Sequence, residues 1–321
     1  MRVLVTGGTG FVGEHLLRLL SQRRHTLFAT YLIAPGGESP PGMELLACDL
    51  RERNQILEAV RHAQPQHVYH LAGLTSVTKS FTESRQVWNT NFWGTMNLLD
   101  AVRETVPKAR VLLVGSSHCY GNVAAGRLPV NEDEPMAPDS PYAGSKAAAD
   151  LLGYQYFRTW NLQVIRARPF NHTGPGQPPQ FVCSDLARQA AEIEAGLRPP
   201  VLQVGNTRVQ RDFSDVRDVV RGYELLLERG KPGEAYNIAS GRAVSVAQIV
   251  SQLRKLCRRP FRVEVQQRRL RAGEAPRVYG SNRKFRRVTG WKPEYSLART
   301  LQDVYTGWKT ALAKRSGQAA S

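Results

Sequence analysis

Thr6-Gly7-Gly8-Thr9-Gly10-Phe11-Val12-Gly13 follows the apolar run Val3-Leu4-Val5 and leads into an amphipathic stretch from Val12 to Leu20. Gly7, Gly10 and Gly13 are spaced three apart. Glycines at this spacing permit a tight turn and a close backbone approach to a pyrophosphate. The helix that follows offers unpaired N–H groups and a partial positive charge at its start. The strand–turn–helix context carries this reading, because a bare glycine pattern is weak. Gly7, Gly10, Phe11, Val12 and Gly13 are therefore candidate contacts to a dinucleotide.

Working outward, short apolar runs alternate with helical periodicity. Strands are expected at Leu27-Phe28-Ala29, Leu45-Leu46-Ala47, His67–Leu71, Val111–Val114 and Leu162–Arg166. Helices are expected over Asn54–His62, Asn89–Thr105 and Tyr142–Trp160. Such alternation predicts an α/β fold with a doubly wound parallel sheet, of the Rossmann kind, over residues 1–168. After Pro169 the elements shorten. Gly174-Pro175-Gly176-Gln177-Pro178-Pro179 is a breaker cluster and reads as a loop. Residues 169–315 are expected to form mainly a smaller, discontinuous lobe, with about 213–240 returning to the first sheet. The polar end, 316–321, is expected to fray.

A chain of 321 residues allows two domains and needs no disulfide to fold. Its cysteines, Cys48, Cys119, Cys183 and Cys257, form no close pair. That argues against a zinc centre and a disulfide framework, and makes a reducing cytoplasm the default. No metal site is predicted. No apolar run approaches the ~20 residues of a membrane span, and the chain starts directly on a strand with no signal peptide before it. Lys and Arg number 44 against 27 Asp and Glu, a net charge of +17. The excess is densest at Cys257–Pro260, Arg268–Arg271 and Arg283–Arg287, without the basic–aromatic alternation of a single-strand groove. The charge therefore suits a phosphorylated substrate better than nucleic acid.

The end of the second strand bears on the cofactor. An acid there would bind the ribose 2′-hydroxyl of NAD. The position falls near Thr30 or Tyr31, and no Asp or Glu occurs until Glu38. NADP(H) is favoured and NAD(H) stays open. Arg23, Arg24 and Arg51 are distant candidates for a 2′-phosphate. Asp49-Leu50, after the third strand, either holds the adenine or, through Asp49, caps a helix. Tyr142 and Lys146 lie at i and i+4, on one helix face. A nearby ammonium lowers a phenol pKa, so Tyr142 is a candidate proton donor. Ser116 ends a central strand, where ligands bind, and can hydrogen-bond the same carbonyl oxygen. Ser117 reads first as a turn hydroxyl, and Asn91 is either structural or part of the site.

Taken in order, Thr6–Gly13, Asp49-Leu50, His70-Leu71-Ala72-Gly73, Asn91, Ser116–Gly121, Tyr142/Lys146 and Arg168-Pro169-Phe170-Asn171 resemble the extended short-chain dehydrogenase/reductase family, from Met1 to about Leu301. The resemblance implies that Ser116, Tyr142 and Lys146 are catalytic and that Tyr142 and Lys146 also meet the cofactor. It implies that Leu71, Ala72 and Gly73 line the cofactor. It further implies a nucleotide diphosphate sugar as substrate and a homodimer through the helices at Asn89–Thr105 and Tyr142–Trp160. The second half is similar to the GDP-sugar members, the 4-keto-6-deoxymannose reductases and their 4,6-dehydratase relatives. Asn171 and Arg211 would then meet the diphosphate or ribose, and Arg271 and Glu274 the nucleotide end. Ala272 departs from the proline common among relatives and weakens the placement of Arg271. Asp215 and Asp218 read as a helix cap and a structural carboxylate.

In the dehydratase relatives a Glu sits two residues after the catalytic hydroxyl. Here Ser117 and His118 fill the acid–base positions, as contacts to the sugar. The expectation is NADPH-dependent reduction of a nucleotide-linked 4-keto-6-deoxyhexose at C4. A 4,6-dehydratase is the enzyme alternative. A catalytically idle nucleotide- or RNA-binding protein is the alternative of another class.

Overall fold

The computed structural model describes residues 1–33, 42–270 and 273–318. The apolar runs become strands, and the periodic stretches become helices, largely in alternation. In chain order they are β1 (Arg2–Thr6), α1 (Phe11–Ser21), β2 (Thr26–Tyr31), β3 (Met43–Ala47), α2 (Arg53–Ala63), β4 (His67–His70), α3 (Val77–Ser80) and α4 (Ser84–Trp88). A π-turn at Asn89–Trp93 leads into α5 (Gly94–Thr105), then β5 (Arg110–Val114), α6 (Pro141–Trp160) and β6 (Gln163–Pro169).

Successive strand residues face opposite layers, so each apolar run feeds two cores. Val3, Val5, Leu27, Ala29, Leu112 and Ile165 pack with Leu16 and Leu20 of α1. Leu4, Phe28, Val68, Val111 and Val164 pack with Ile56, Leu98 and Val102 on the other side. Burying each such Leu, Val or Ile contributes ~1.5–3 kcal/mol. Pro141 opens α6 behind the Ser140 cap, whose hydroxyl accepts from the Ala143 N–H, and left-handed Asn161 ends it.

The later elements are β7 (Asn171–Thr173), α7 (Val182–Glu194), β8 (Val201–Val204), β9 (Gln210–Asp215), α8 (Val216–Arg229), β10 (Ala235–Ile238), β11 (Ala243–Ser245), α9 (Val246–Leu256), β12 (Arg262–Val265), β13 (Arg277–Val278), α10 (Arg283–Thr289) and α11 (Leu297–Gln318). The main sheet has seven strands in the order β10-β6-β5-β4-β1-β2-β3. All its pairings are parallel. β10 thus rejoins the first sheet, and α8 completes its core with Val219, Tyr223 and Leu227. Smaller sheets hold β11-β9-β13 with β7 on β9, and β12-β8. A third core of Ala187, Ile193, Leu202, Ile249, Leu253 and Leu301 lies among α7, α9 and α11.

Two local expectations change. The helix expected at Asn89–Thr105 starts earlier, at Ser84, and is interrupted by the π-turn. The helix α11 continues to Gln318, past the point where the polar tail was expected to fray.

Candidate active site

Strand order reverses between β1 and β4, which opens a crevice at their carboxyl ends. The glycine turn sits there. Gly7 has φ +69°, and a Cβ on it would come within 2.8 Å of Ala72 Cα. A Cβ on Gly13 would collide with the carbonyls of Gly7 and Gly8. The Gly7 N–H donates to Thr30 Oγ1 at 3.1 Å, which ties the turn to β2. Helix α1 begins at Phe11 behind Gly10, which has no side chain to cap it, so its first-turn N–H groups are available to an anion. This cradle fits a dinucleotide pyrophosphate.

His70 anchors the opposite wall. Its ring meets Thr6 Oγ1 at 2.7 Å and Thr95 Oγ1 at 2.9 Å. Thr95 already donates to the Asn91 carbonyl, so His70 Nε2 donates to Thr95 and Nδ1 accepts from Thr6. Burial pushes the His70 pKa down to about 3, so it stays neutral. Beyond it, a Cβ on Gly73 would lie 2.8 Å from Asn91 Oδ1 and 3.5 Å from Lys146 Nζ. Asn91 accepts from the Leu74 N–H and donates to the Leu74 carbonyl and to Ser145 Oγ. Asn91 therefore pins the Leu71-Ala72-Gly73 loop to α6 as a structural clasp. The π-turn that aims it carried no sequence signal.

Of the two readings of Asp49, the structure removes the helix cap. Helix α2 starts at Arg53 behind Glu52, so Asp49 caps nothing. Its carboxylate accepts the Arg51 N–H and grips the Arg51 guanidinium at 2.5–3.0 Å. Leu50 turns its side chain into the core beside Gly94.

The three residues expected to act in proton transfer lie close together. Ser116 is buried just past the end of β5, and its hydroxyl faces the Tyr142 phenol closely enough to lower its pKa. Lys146 Nζ donates to the Val114 carbonyl at 2.9 Å. The expected lowering of the Tyr142 pKa by Lys146 does not occur in the chain alone. Burial pushes the phenol up, and the Ser116 hydrogen bond offsets only part of that rise. Lys146 itself is desolvated, which brings its pKa down to about 8. His118 lies beside Tyr142 with ring centroids 5.8 Å apart and planes at 74°. Ser117 opens the single 3-10 turn Ser117–Tyr120, in which Ser116 Oγ accepts from the His118 N–H.

On the substrate side, β7 carries Asn171 next to β9, which carries Arg211 two residues before Phe213, the register partner of Asn171. Arg211 and Glu274 are brought together at 3.0 Å, and Arg211 also donates to the Ala275 carbonyl. Arg271 and Ala272 lie outside the described residues. Asp215 caps α8 through the Arg217 N–H, and Asp218 accepts from the Glu294 and Tyr295 N–H groups, so both are structural. Phe11 stacks on His172 at 6.4 Å, and His15 bonds the Pro175 carbonyl at 2.9 Å. These contacts bolt the glycine turn to the loop after β7. Sequence reasoning missed them because the partners are ~160 residues apart. Among the described residues no group of His, Cys, Asp and Glu is arranged to hold a metal.

The model of the GDP-mannose 4,6 dehydratase family matches residues 4–304. The chain belongs to the NAD-dependent epimerase/dehydratase family of extended short-chain dehydrogenases/reductases. It is 36% identical over 309 residues to a GDP-6-deoxy-D-mannose reductase of Pseudomonas aeruginosa, covering 96% of this chain and 97% of that protein. It is similar to the solved structure of RMD from Pseudomonas aeruginosa complexed with NADPH, with TM-score 0.85 and 33% identity over 97% of this chain and all of that one. It is also similar to the UDP-glucose 4-epimerase of Thermus thermophilus complexed with NAD, with TM-score 0.86 and 27% identity over 97% and 100%. This extended short-chain dehydrogenase/reductase is thus an NAD(P)-dependent enzyme of a family that modifies nucleotide sugars.

Proposed function

We propose that the enzyme reduces a nucleotide-linked 4-keto-6-deoxyhexose, GDP-linked, at C4. The observation that carries this is the composition of the reacting end of the cleft. Ser116, Tyr142 and Lys146 supply what carbonyl reduction needs, and the turn Ser117-His118-Cys119 holds no carboxylate for removing a C5 proton. The reductase similarity at 36% identity supports the same reading. The glycine turn would hold NADPH, which when bound would supply the hydride for C4. Tyr142 donates the proton to the carbonyl oxygen, and Ser116 holds that oxygen by a second hydrogen bond. Lys146, buried beside Gly73, holds the nicotinamide ribose. Arg211 offers a guanidinium to the diphosphate, with Asn171 beside it. Ser117 and His118 contact the sugar.

The expected outcome is steady NADPH oxidation with GDP-4-keto-6-deoxymannose. Formation of a 4-keto product from GDP-mannose without added NADPH would instead establish the 4,6-dehydratase, the reading favoured by the family model's name. Two copies are proposed to pair through α4–α5 and α6, whose Trp88, Trp93, Leu151, Tyr154 and Trp160 are exposed. A monomer in sedimentation equilibrium would remove that pairing. Four buried, unbridged thiols support a cytoplasmic setting. Localisation of the tagged protein to an oxidising compartment would overturn it.

A further inference from the structure

We propose that Arg168 is a positioning residue for proton transfer: through Asp150 and Tyr120 it sets the turn that carries Ser116 against the helix that carries Tyr142. Arg168 touches neither reacting group. Its Nε and Nη2 donate to the two Asp150 oxygens, each at 2.9 Å. This two-point grip fixes orientation as well as distance. Asp150 is on α6, one turn past Lys146 and two past Tyr142, so all three share a helix face. Arg166 donates to the same Asp150 carboxylate at 2.6 Å. The rotation of α6 is therefore held from β6.

The other arm of Arg168 reaches the Ser116 turn. Its Nη1 donates to the Tyr120 hydroxyl at 2.9 Å, and that hydroxyl donates its one proton to Asn237 Oδ1 at 2.7 Å. Asn237 in turn donates to the Val130 carbonyl. Tyr120 is almost fully buried, and its ring lies under the guanidinium with 5.3 Å between guanidinium carbon and ring centroid. Arg168, Asp150, Tyr120 and Asn237 all have partners inside this buried network, so moving one breaks the bonds of another; Arg166 Nε is the exception and has no partner. Ser116 and Tyr120 are separated by one 3-10 turn without slack. Clamping Tyr120 therefore limits where the Ser116 hydroxyl can sit beside the phenol whose pKa it lowers.

The inference rests on Tyr142 being the proton donor, but its test needs no substrate. The Tyr142 phenol is titrated by NMR of the chain labelled at tyrosine Cζ, with Tyr142→Phe for assignment. The groups facing it are Ser116, His118 and Cys119 from the turn, Lys146 from its own helix, and Tyr223 from α8. Tyr120→Phe keeps the ring and removes the hydroxyl. It is expected to raise the Tyr142 pKa, as Ser116→Ala does, because the Ser116 bond lowers it. The double variant is expected to shift no further than Ser116→Ala alone. Arg168→Lys, which keeps the charge but cannot form the two-point grip, is expected to give the same shift. Should one variant fail to fold, the other decides.

In turnover with a 4-keto-6-deoxy sugar nucleotide, kcat is expected to fall about tenfold or more with KM little changed. A wild-type Tyr142 titration in a folded Tyr120→Phe or Arg168→Lys protein overturns the proposal. If the wild-type chain turns over no keto-sugar, the functional reading fails, while the titration still decides the role of Arg168.

Discussion

The two ends of the substrate cleft are built in opposite ways. At the proposed proton-transfer end, Ser116, Tyr142 and Lys146 are buried, Lys146 donates to the Val114 carbonyl of the main sheet, and Arg168 of that sheet holds Tyr120. At the proposed nucleotide end, Arg211 on β9 and Glu274 in the segment before β13 are part-exposed and pair with each other. Burial changes the chemistry of a side chain by making its charged form expensive, which tunes proton transfer. A part-exposed ion pair costs little to rearrange, because its net worth in water is small. Glu274 can thus hold Arg211 ready and release it to a ligand's phosphate. One end is fixed to perform chemistry, and the other is loose enough to exchange partners.

The largest effect expected from this contrast is on stability. Lys146 carries a pKa of about 8 in the folded chain because burial penalises its ammonium. The unfolded value is ~10.4, so between those limits the unfolded chain binds more protons, and stability rises with pH. Below about pH 8 the folded chain bears the full cost, on the order of 3 kcal/mol, less whatever the bond to Val114 returns. Lys146→Met is expected to stabilise the protein at pH 7. It should also remove the excess stability gain of wild type between pH 8 and 10 in urea titrations. Equal pH slopes for the two proteins would show that Lys146 is hydrated and the fixed end is not dry.

Arg211→Ala probes the loose end. Loss of a charge-assisted contact is worth ~1.5–3 kcal/mol, or roughly ten- to a hundredfold in affinity. The nucleotide sugar is expected to bind that much more weakly by calorimetry, with NADPH affinity unchanged. Equal affinity in the variant would remove Arg211 from the cleft and leave its pair with Glu274 purely structural.

The same contrast explains what could be read from sequence. The glycine turn, the strands and the Tyr142/Lys146 spacing were legible because each is a local signal, set by neighbours within one or two turns. Ser116 was legible because a strand end at the sheet's carboxyl edge is a topological position. The direction of the Tyr142 pKa was not, since it depends on desolvation by the assembled core. Nor was the hub at Arg168, whose partners Tyr120, Asp150 and Asn237 lie 48, 18 and 69 positions away by residue number. The Arg211–Glu274 pair, 63 residues apart, was invisible for the same reason, although each member was singled out alone.

The smallest effect concerns the cofactor's 2′-phosphate, and here the chain presents a loose pair again. An acid at the end of β2 would repel that phosphate, but Thr30 and Tyr31 occupy the position. Cys48 donates its N–H to the Tyr31 carbonyl, so the Asp49–Arg51 pair follows directly on the residue that meets the strand end. Arg51 is an exposed cation, and Asp49 already pairs with it. A dianionic phosphate competes for that guanidinium, yet it gains only the difference between the new contact and the old one. In an exposed setting that difference is ~0.2–1 kcal/mol, a factor of roughly 1.5 to 5. NADPH is therefore expected to be preferred over NADH by a few-fold in kcat/KM, and Arg51→Ala to level the two. A clear NADH preference in the wild-type protein would show that the ribose does not rest at the end of β2. It would also confine the loose, exchangeable pairing to the nucleotide-sugar side.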